Sequence, residues 1–115
     1  MSELAYFLEE ALKFREERDW AQFHKPKDMA LSLMLEAAEL AEHFQWKNDE
    51  EAAAHIRDEK GELADELSDI LYWTVVMSND FGIDLMEAFK TKMAKNAAKY
   101  PIEKAKGRHT KYNRL

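Results

Sequence analysis

The chain has 115 residues, long enough for one domain with a modest core but short enough that we expect a homo-oligomer to add stability. Ala, Leu, Glu, Lys and Met are abundant, whereas only three Gly and two Pro interrupt the sequence, so the composition predicts an all-α fold. The formal net charge of −6 argues against nucleic-acid polymers as partners, and the absence of cysteine excludes disulfides and thiolate chemistry.

The first predicted helix begins after Ser2, whose hydroxyl can cap it, and runs to about Arg18. The segment before and within this helix lacks the pattern of a signal peptide, and no apolar run approaches the roughly 20 residues that span a bilayer. We therefore expect a cytoplasmic protein without a membrane partner. Residues 19–27, DWAQFHKPK, mix aromatic, charged and proline residues, which predicts an ordered loop rather than a linker.

The second predicted helix runs from a capping Asp28 to about Trp46 and is unusually apolar. Of its 19 residues 12 are apolar, which leaves a narrow polar stripe that contains Glu36, Glu39 and His43. A helix that is apolar almost all round is buried, here by its own chain and by a second copy of it. The two glutamates are therefore expected in a cleft rather than on a solvated face.

The rest of the helical pattern follows an acidic, alanine-rich connection over residues 47–57, which has room for a short helix of its own. A third helix is predicted over residues 58–80, with Gly82 as its left-handed stop. A fourth is predicted from Leu85 to about Lys99, capped by Asp84.

The carboxyl-terminal segment after Pro101 differs from the body of the chain in charge. Residues 104–115 hold five basic side chains and no acidic one, so 12 basic residues face 23 acidic ones in residues 1–103, a charge of −11. We expect this basic tail to be mobile, although it could close over phosphates as a lid. With no internal repeat and no linker, residues 1–115 are predicted to form a single domain.

Two pairs of acids repeat one spacing within the predicted helices, Glu36-x-x-Glu39 in the second and Glu66-x-x-Asp69 in the third. Residues three apart share a helix face, so each pair directs two carboxylates to one side, where they repel unless a cation joins them. If the helices run antiparallel, Glu36 faces Asp69 and Glu39 faces Glu66. Two solvated faces are the ordinary alternative, but two such pairs in apolar surroundings would be costly without a cation. An all-oxygen site of this kind favours Mg2+.

A di-iron carboxylate bundle is the competing metal site. It requires Glu-x-x-His on two helices. The chain lacks that motif, because no Glu stands three residues before His24, His43, His55 or His109. The pattern therefore disfavours redox iron and leaves Mg2+ as the predicted metal.

Several aromatic and polar side chains are candidate ligand contacts, although core packing or solvation explains them equally simply. The aromatic candidates are Trp20, His24, Trp46 and Trp73. Each can either pack in a core or stack on a base, and the residues alone leave both open. On the fourth helix, Lys92, Asn96 and Lys99 recur on one face, which is either a solvated basic face or a set of phosphate donors.

Together these residues resemble the MazG-like all-α nucleoside triphosphate pyrophosphohydrolases. The two acid pairs, separated by 26 residues, are similar to the metal motif of that family. The segments ERDWAQFHKPK, ELAEHFQW, DELSDILYW and KMAKNAAKYP resemble, in the same order, its dCTP pyrophosphatase branch. The resemblance covers nearly the whole chain and implies an antiparallel four-helix bundle, assembled as a dimer or a dimer of dimers.

The same resemblance implies an activity and a set of site residues. The activity is hydrolysis of a deoxynucleoside triphosphate, with dCTP or a modified dCTP as substrate, to its monophosphate and pyrophosphate, in nucleotide-pool house-cleaning. The implied ligands of Mg2+ are Glu36, Glu39, Glu66 and Asp69. The residues implied to surround the base or sugar are Trp20, Gln22, His24, Trp46 and Trp73. Those implied to lie toward the phosphates are Lys92, Asn96 and Tyr100.

The mechanistic hypothesis is in-line attack of water on the α-phosphorus, with Glu36 as general base and Lys92 beside the departing pyrophosphate. A related alternative is the same chemistry on dATP, dUTP or a damaged nucleotide. A second alternative is a non-enzymatic helical interaction protein whose acids pair with lysines of a neighbour. That alternative predicts no effect of Mg2+ on stability or activity.

Overall fold

The computed structural model describes residues 2–115, and every regular element in that range is helical. The α-helices are α1 (Glu3–Glu17), α2 (Pro26–Glu42), α3 (Asp49–Asp58), α4 (Lys60–Asp80), α5 (Leu85–Lys99) and α6 (Ile102–Ala105). Two single-turn 3-10 helices lie at Ala21–Phe23 and Tyr112–Arg114. The predicted all-α fold is confirmed. None of the helices in the described range is long and apolar enough to cross a membrane.

The chain divides into two compact units, one ending at Gly82 and the other running from Ile83 to Leu115. In the first unit α4 is the central helix, because α1, α2 and α3 each pack against it. The buried apolar side chains come from α1, α2 and α4, and they are Ala11, Met29, Leu63, Val75 and Val76. Full burial of a Met or Val side chain contributes about 1.5–3 kcal/mol, so this small core holds α4 against its neighbours.

Three helix ends form at the residues that the sequence predicted. The Ser2 hydroxyl accepts a hydrogen bond from the Ala5 amide at 3.1 Å and begins α1. Asp84 Oδ1 accepts from the Glu87 amide at 3.2 Å and begins α5. Gly82, with φ of +68°, takes the left-handed conformation just after α4.

The predicted boundaries of α2 were wrong at both ends. The helix begins at Pro26 rather than after Asp28, because proline at the first position has a preset φ and needs no amide partner. Asp28 lies instead in the first turn, where its charge complements the helix dipole. The helix ends at Glu42, and a turn follows that leads to Trp46, whose φ is +68°.

Most of the predicted connection between the acid-bearing helices is itself a helix, α3. Its start is fixed by a reciprocal capping box: Asn48 Oδ1 accepts from the Glu51 amide at 2.9 Å, and Glu51 Oε1 accepts from the Asn48 amide at 3.2 Å. A break at Glu59 separates α3 from α4. The turn and α3 together return the chain so that α4 can pack along α2.

In the second unit the basic tail contacts the carboxyl end of α5. The ring of Tyr112 lies edge-on to that of Tyr100, with centroids 6.1 Å apart. Lys99 Nζ lies 4.8 Å from the centroid of the Tyr112 ring, a cation–π contact. The predicted mobility of residues 104–115 stays a prediction.

Candidate functional site

Three of the four predicted metal ligands come together between α2 and α4. One carboxylate oxygen each from Glu36, Glu39 and Glu66 lies within 4.8 Å of the others. Asp69 stands outside this group and is exposed, but its charge acts on Glu36, as expected if the two helices run antiparallel. The i, i+3 spacing on each helix therefore does bring carboxylates to one place.

The proximity of these acids raises the pKa of two of them. Loss of solvent around Glu36, together with the negative charges of Asp69 and Glu39, raises the pKa of Glu36 to about 7. Burial and the carboxylate of Glu39 raise the pKa of Glu66, whereas His43 acts in the opposite direction. Each negative charge disfavours ionisation of the next, so the metal-free cluster retains protons that isolated glutamates would have lost.

Two carboxylate oxygens of the cluster are shielded from solvent and lack a hydrogen-bond partner among residues 2–115. They are Oε2 of Glu36 and Oε2 of Glu66. An unpaired buried acceptor costs about 1–3 kcal/mol. Glu36, Glu39 and Glu66 would hold a hard cation, which would offset the repulsion between their charges, so the donor set fits Mg2+.

A polar cavity of about 480 Å³ beside the cluster contains a histidine pair that the sequence did not reveal. His43, at the end of α2, and His55, on α3, bring Nδ1 and Nε2 to 2.8 Å, so that one ring donates a hydrogen bond to the other. The other ring nitrogen of His43, Nε2, lies 4.0 Å from Glu66 Oε1. The cavity is lined by Glu39, Glu42, His43, Lys47, His55 and Glu66. No sequence spacing signals this pair, because it depends on the turn between α2 and α3.

Three of the five residues predicted to bind the base or sugar make aromatic contacts in the first unit. The rings of His24 and Trp73 meet at a centroid distance of 5.0 Å and an interplanar angle of 61°. Trp20 instead packs edge-on against Phe14 at 5.6 Å and remains 43% exposed. His24 and Trp73 thus form the aromatic contact that joins the loop to α4, whereas Trp20 joins the loop to α1.

Gln22 and Trp46 have different surroundings. The side-chain amide of Gln22 donates to the backbone carbonyl of Asp19 at 2.9 Å and to its Oδ2 at 3.1 Å, which stabilises the loop. Trp46 is 91% exposed and has no aromatic partner in the part of the chain that the structure describes. Its isolated indole is accessible to a ligand but is not held by other rings.

The residues predicted to bind phosphates belong to the second unit. Lys92 is exposed, and Asn96 is half-buried on the same helix, α5. Tyr100 is the C-cap of α5, where its amide donates to the Asn96 carbonyl at 2.9 Å. Their role toward phosphates stays a prediction.

A sequence model of the MazG-like family matches residues 31–115, a segment that includes both acid pairs and the histidine pair. The chain belongs to the MazG-like family, as its resemblance to that family indicated. It is similar to dCTP pyrophosphatase 1 of Bos taurus, with 43% identity over 105 residues that make up 90% of this chain and 62% of that protein. It is also similar to dCTP pyrophosphatase 1 of Homo sapiens, with 40% identity and the same coverage of 90% and 62%.

In structure the chain is similar to a crystal structure of a pyrophosphatase from Archaeoglobus fulgidus. The TM-score is 0.82 and the sequence identity 35%, over 88% of this chain and 94% of that one. The curated relatives are longer proteins, since this chain spans about 62% of their length.

Proposed function

We propose that this protein is a Mg2+-dependent pyrophosphohydrolase that converts a deoxynucleoside triphosphate to its monophosphate and pyrophosphate. The observation that carries the proposal is the cluster of Glu36, Glu39 and Glu66, with its two buried, unpaired oxygens. Similarity to proteins named dCTP pyrophosphatase 1 supports dCTP or a modified dCTP as the substrate. In this role the protein would remove unwanted nucleotides from the cytoplasmic pool.

The acid cluster has two roles in the proposed reaction, to hold the cation and to accept a proton from water. Glu36, Glu39, Glu66 and Asp69 would hold the cation; the first three lie together, and Asp69 is proposed as the fourth ligand. When bound, Mg2+ supplies positive charge that offsets the repulsion between the triphosphate and the acids. Glu36 is also the proposed general base: one of its two carboxylate oxygens would hold the cation, and the other would accept a proton from the attacking water.

The substrate would be oriented by groups outside the cluster. The edge-to-face contact of His24 with Trp73 is suited to holding a base or sugar, and Trp20, Gln22 and Trp46 are proposed as further contacts. Lys92, Asn96 and Tyr100 are proposed to bind the phosphates. Water would attack the α-phosphorus in line, the bond from that phosphorus to the bridging oxygen would break, and pyrophosphate would leave with that oxygen.

The proposed functional form is a homodimer or a dimer of dimers. Within one chain α2 buries only Met29 fully, and its expected further burial by a second copy stays a prediction. Leu31, Met34 and Leu35 on that helix are 44%, 58% and 58% exposed. An apolar helix face of this kind supports self-association through α2.

The test is product analysis after incubation of the purified protein and Mg2+ with each deoxynucleoside triphosphate in turn. We expect monophosphate and pyrophosphate, formed fastest from dCTP, and a loss of kcat/KM of more than about 100-fold in Glu39→Gln, since a metal ligand should matter at least as much as the groups that orient it. Glu9→Gln, an exposed acid on α1 that does not line the cavity beside the cluster, is the matched control.

Each alternative has its own result in this experiment. Faster hydrolysis of dATP, dUTP or an oxidised nucleotide would keep the chemistry and change the substrate. Full activity of Glu39→Gln would contradict the metal site. No hydrolysis, together with no effect of Mg2+ on thermal stability, would favour a helical interaction protein.

A further inference from the structure

A partly buried ion pair joins α1 to the end of α4 beside the aromatic loop, away from the acid cluster. Arg15 Nη1 donates to Asp80 Oδ2 at 2.7 Å, and Arg15 Nη2 donates to Asp80 Oδ1 at 3.0 Å. The Arg15 side chain is 9% exposed and that of Asp80 23%. A carboxylate that accepts from both terminal nitrogens fixes the plane and direction of the guanidinium.

The same guanidinium reaches the loop through His24. His24 Nδ1 lies 3.5 Å from Arg15 Nη1, the nitrogen that also serves Asp80. Nη1 carries two N–H groups and accepts no hydrogen bond, so His24 can face it favourably only with an unprotonated Nδ1. At 3.5 Å the contact is long, but its direction is unambiguous. The proton of the neutral ring then belongs on Nε2, the other ring nitrogen.

Burial and the positive charge of Arg15 also favour a neutral His24 ring. Burial is the main cause that lowers the pKa of His24, and the positive charge of Arg15 lowers it further, whereas Asp80 opposes them. Pairing with Asp80 raises the pKa of Arg15 and lowers that of Asp80, so both remain charged. Trp73 meets the His24 ring at 5.0 Å and restrains its plane. His24 is therefore held neutral and in one orientation.

We propose that Arg15, held by Asp80, is a positioning residue that sets His24 as a hydrogen-bond donor at Nε2 for an oxygen acceptor on the base or sugar of the nucleotide. The identity of the ligand in this proposal rests on the proposed function. The protonation state of the His24 ring does not. A donor at that position favours a carbonyl or hydroxyl oxygen over an amino group.

Removal of Arg15 should move the proton of the His24 ring from Nε2 to Nδ1, rather than merely weaken the preference for Nε2. Without the guanidinium, the Asp80 carboxylate is an acceptor that attracts a proton to His24 Nδ1. The neutral ring would then present an acceptor at Nε2, or the ring would become cationic. Either change replaces the donor that we assign to the wild-type protein.

Nitrogen-15 NMR of the histidine rings in the nucleotide-free protein tests this inference directly, with His24→Asn used to assign the signals. We expect the wild-type protein to show His24 with its proton on Nε2, and Arg15→Met to show protonation at Nδ1 and a higher pKa of His24. Arg15→Lys should retain the wild-type pattern, because an ammonium group also only donates. The matched control is Arg18→Met, since Arg18 lies on the Phe14 ring at 3.9 Å and donates to the Phe14 carbonyl.

The second readout is hydrolysis of dCTP. Loss of one hydrogen bond to the ligand should raise KM about tenfold in Arg15→Met and leave kcat nearly unchanged. If Arg15→Met does not fold, Arg15→Met combined with Asp80→Asn removes both charges, and we expect a mixture of both tautomers there.

An unchanged tautomer and pKa of His24 in Arg15→Met, or in the double variant with Asp80→Asn if the single variant does not fold, would overturn the positioning role. If the tautomer changes but KM does not, the assignment of His24 as a nucleotide contact is overturned. If the wild-type protein hydrolyses no nucleotide, the proposed function fails, and the NMR result still decides whether Arg15 sets the His24 ring.

Discussion

Glu36 and Glu66 each keep one carboxylate oxygen away from solvent without a hydrogen-bond partner within residues 2–115, while Glu39 adds a third acid within 4.8 Å. Protons and cations compete for such a group, because either one removes the repulsion. The metal-free protein is therefore expected to respond to pH through the same residues that we propose as metal ligands.

Glu36→Gln should remove a specific part of this pH response. The pKa of Glu36 is about 7 in the folded protein against 4.5 for an ordinary glutamate, so the folded state binds more protons between these values. The free energy of unfolding of the metal-free wild-type protein should therefore fall as pH rises from about 4.5 to about 7. Glu36→Gln should be more stable than wild type above that window in EDTA, and should gain less from added Mg2+.

Thermal unfolding in EDTA and in Mg2+, followed by circular dichroism across this pH range, provides the measurement. Glu9→Gln, an exposed acid on α1, is the control and should behave as wild type. Equal pH dependence in wild type and Glu36→Gln would contradict the raised pKa.

Single residues differed in how far the sequence could predict them. Glu36, Glu39 and Glu66 were predicted to cluster because helical spacing places acids on one face, which is a local property. Arg15 carried no such signal, since its partner Asp80 lies 65 residues further along the chain. His55 likewise acquires its partner only after the chain reverses between α2 and α3.

At the scale of elements, the predicted starts of α1 and α5 and the predicted stop at Gly82 were correct, whereas the predicted start of α2 was wrong. Ser2 and Asp84 accept hydrogen bonds at the predicted helix starts. Asp28 has the right chemistry for a cap, but Pro26 begins the helix one turn earlier because its φ is already helical. Asn48 and Glu51 had the spacing of a capping box, which is the signal by which α3 could have been predicted.

The end of α4 allows a matched pair of substitutions. Gly82→Ala should lower the free energy of unfolding by about 1 kcal/mol, because an L-residue with φ of +68° is strained even though nothing lies within 4 Å of the added Cβ. Gly61→Ala, in α4 and also without neighbours within 4 Å, should raise it by up to about 1 kcal/mol. Urea unfolding of both variants measures the difference. Changes of the same sign would contradict the conformational explanation.

At the scale of the whole molecule, the unpaired apolar surface of α2 is the feature that one chain does not explain. Leu31, Met34 and Leu35 are exposed over roughly half of their surface, at 44%, 58% and 58%. On α4, Leu67 is 56% exposed. These four residues support the proposed interface between copies; the apolar composition of α2 suggested such an interface from the sequence but not which residues form it.

Met34→Lys should therefore shift the protein toward the monomer, because a charge in an apolar interface is costly to desolvate. Light scattering after size-exclusion chromatography gives the oligomeric state. Tyr6→Lys on α1, at a residue that is 54% exposed, is the control and should leave that state unchanged. A wild-type protein that is monomeric at micromolar concentration would contradict the proposed interface.

The two kinds of surface on α2 have a consequence for how the sequence can drift. Acids occupy one side of the helix for the proposed cation, apolar residues occupy another for the proposed second copy, and Met29 fills the core, so few positions remain neutral to change. α3 buries no residue, and its start is fixed by the capping box at Asn48 and Glu51. A saturation library should accordingly show α2 as much less tolerant of substitution than α3, whose positions beyond its cap and His55 should be the most permissive of the first unit.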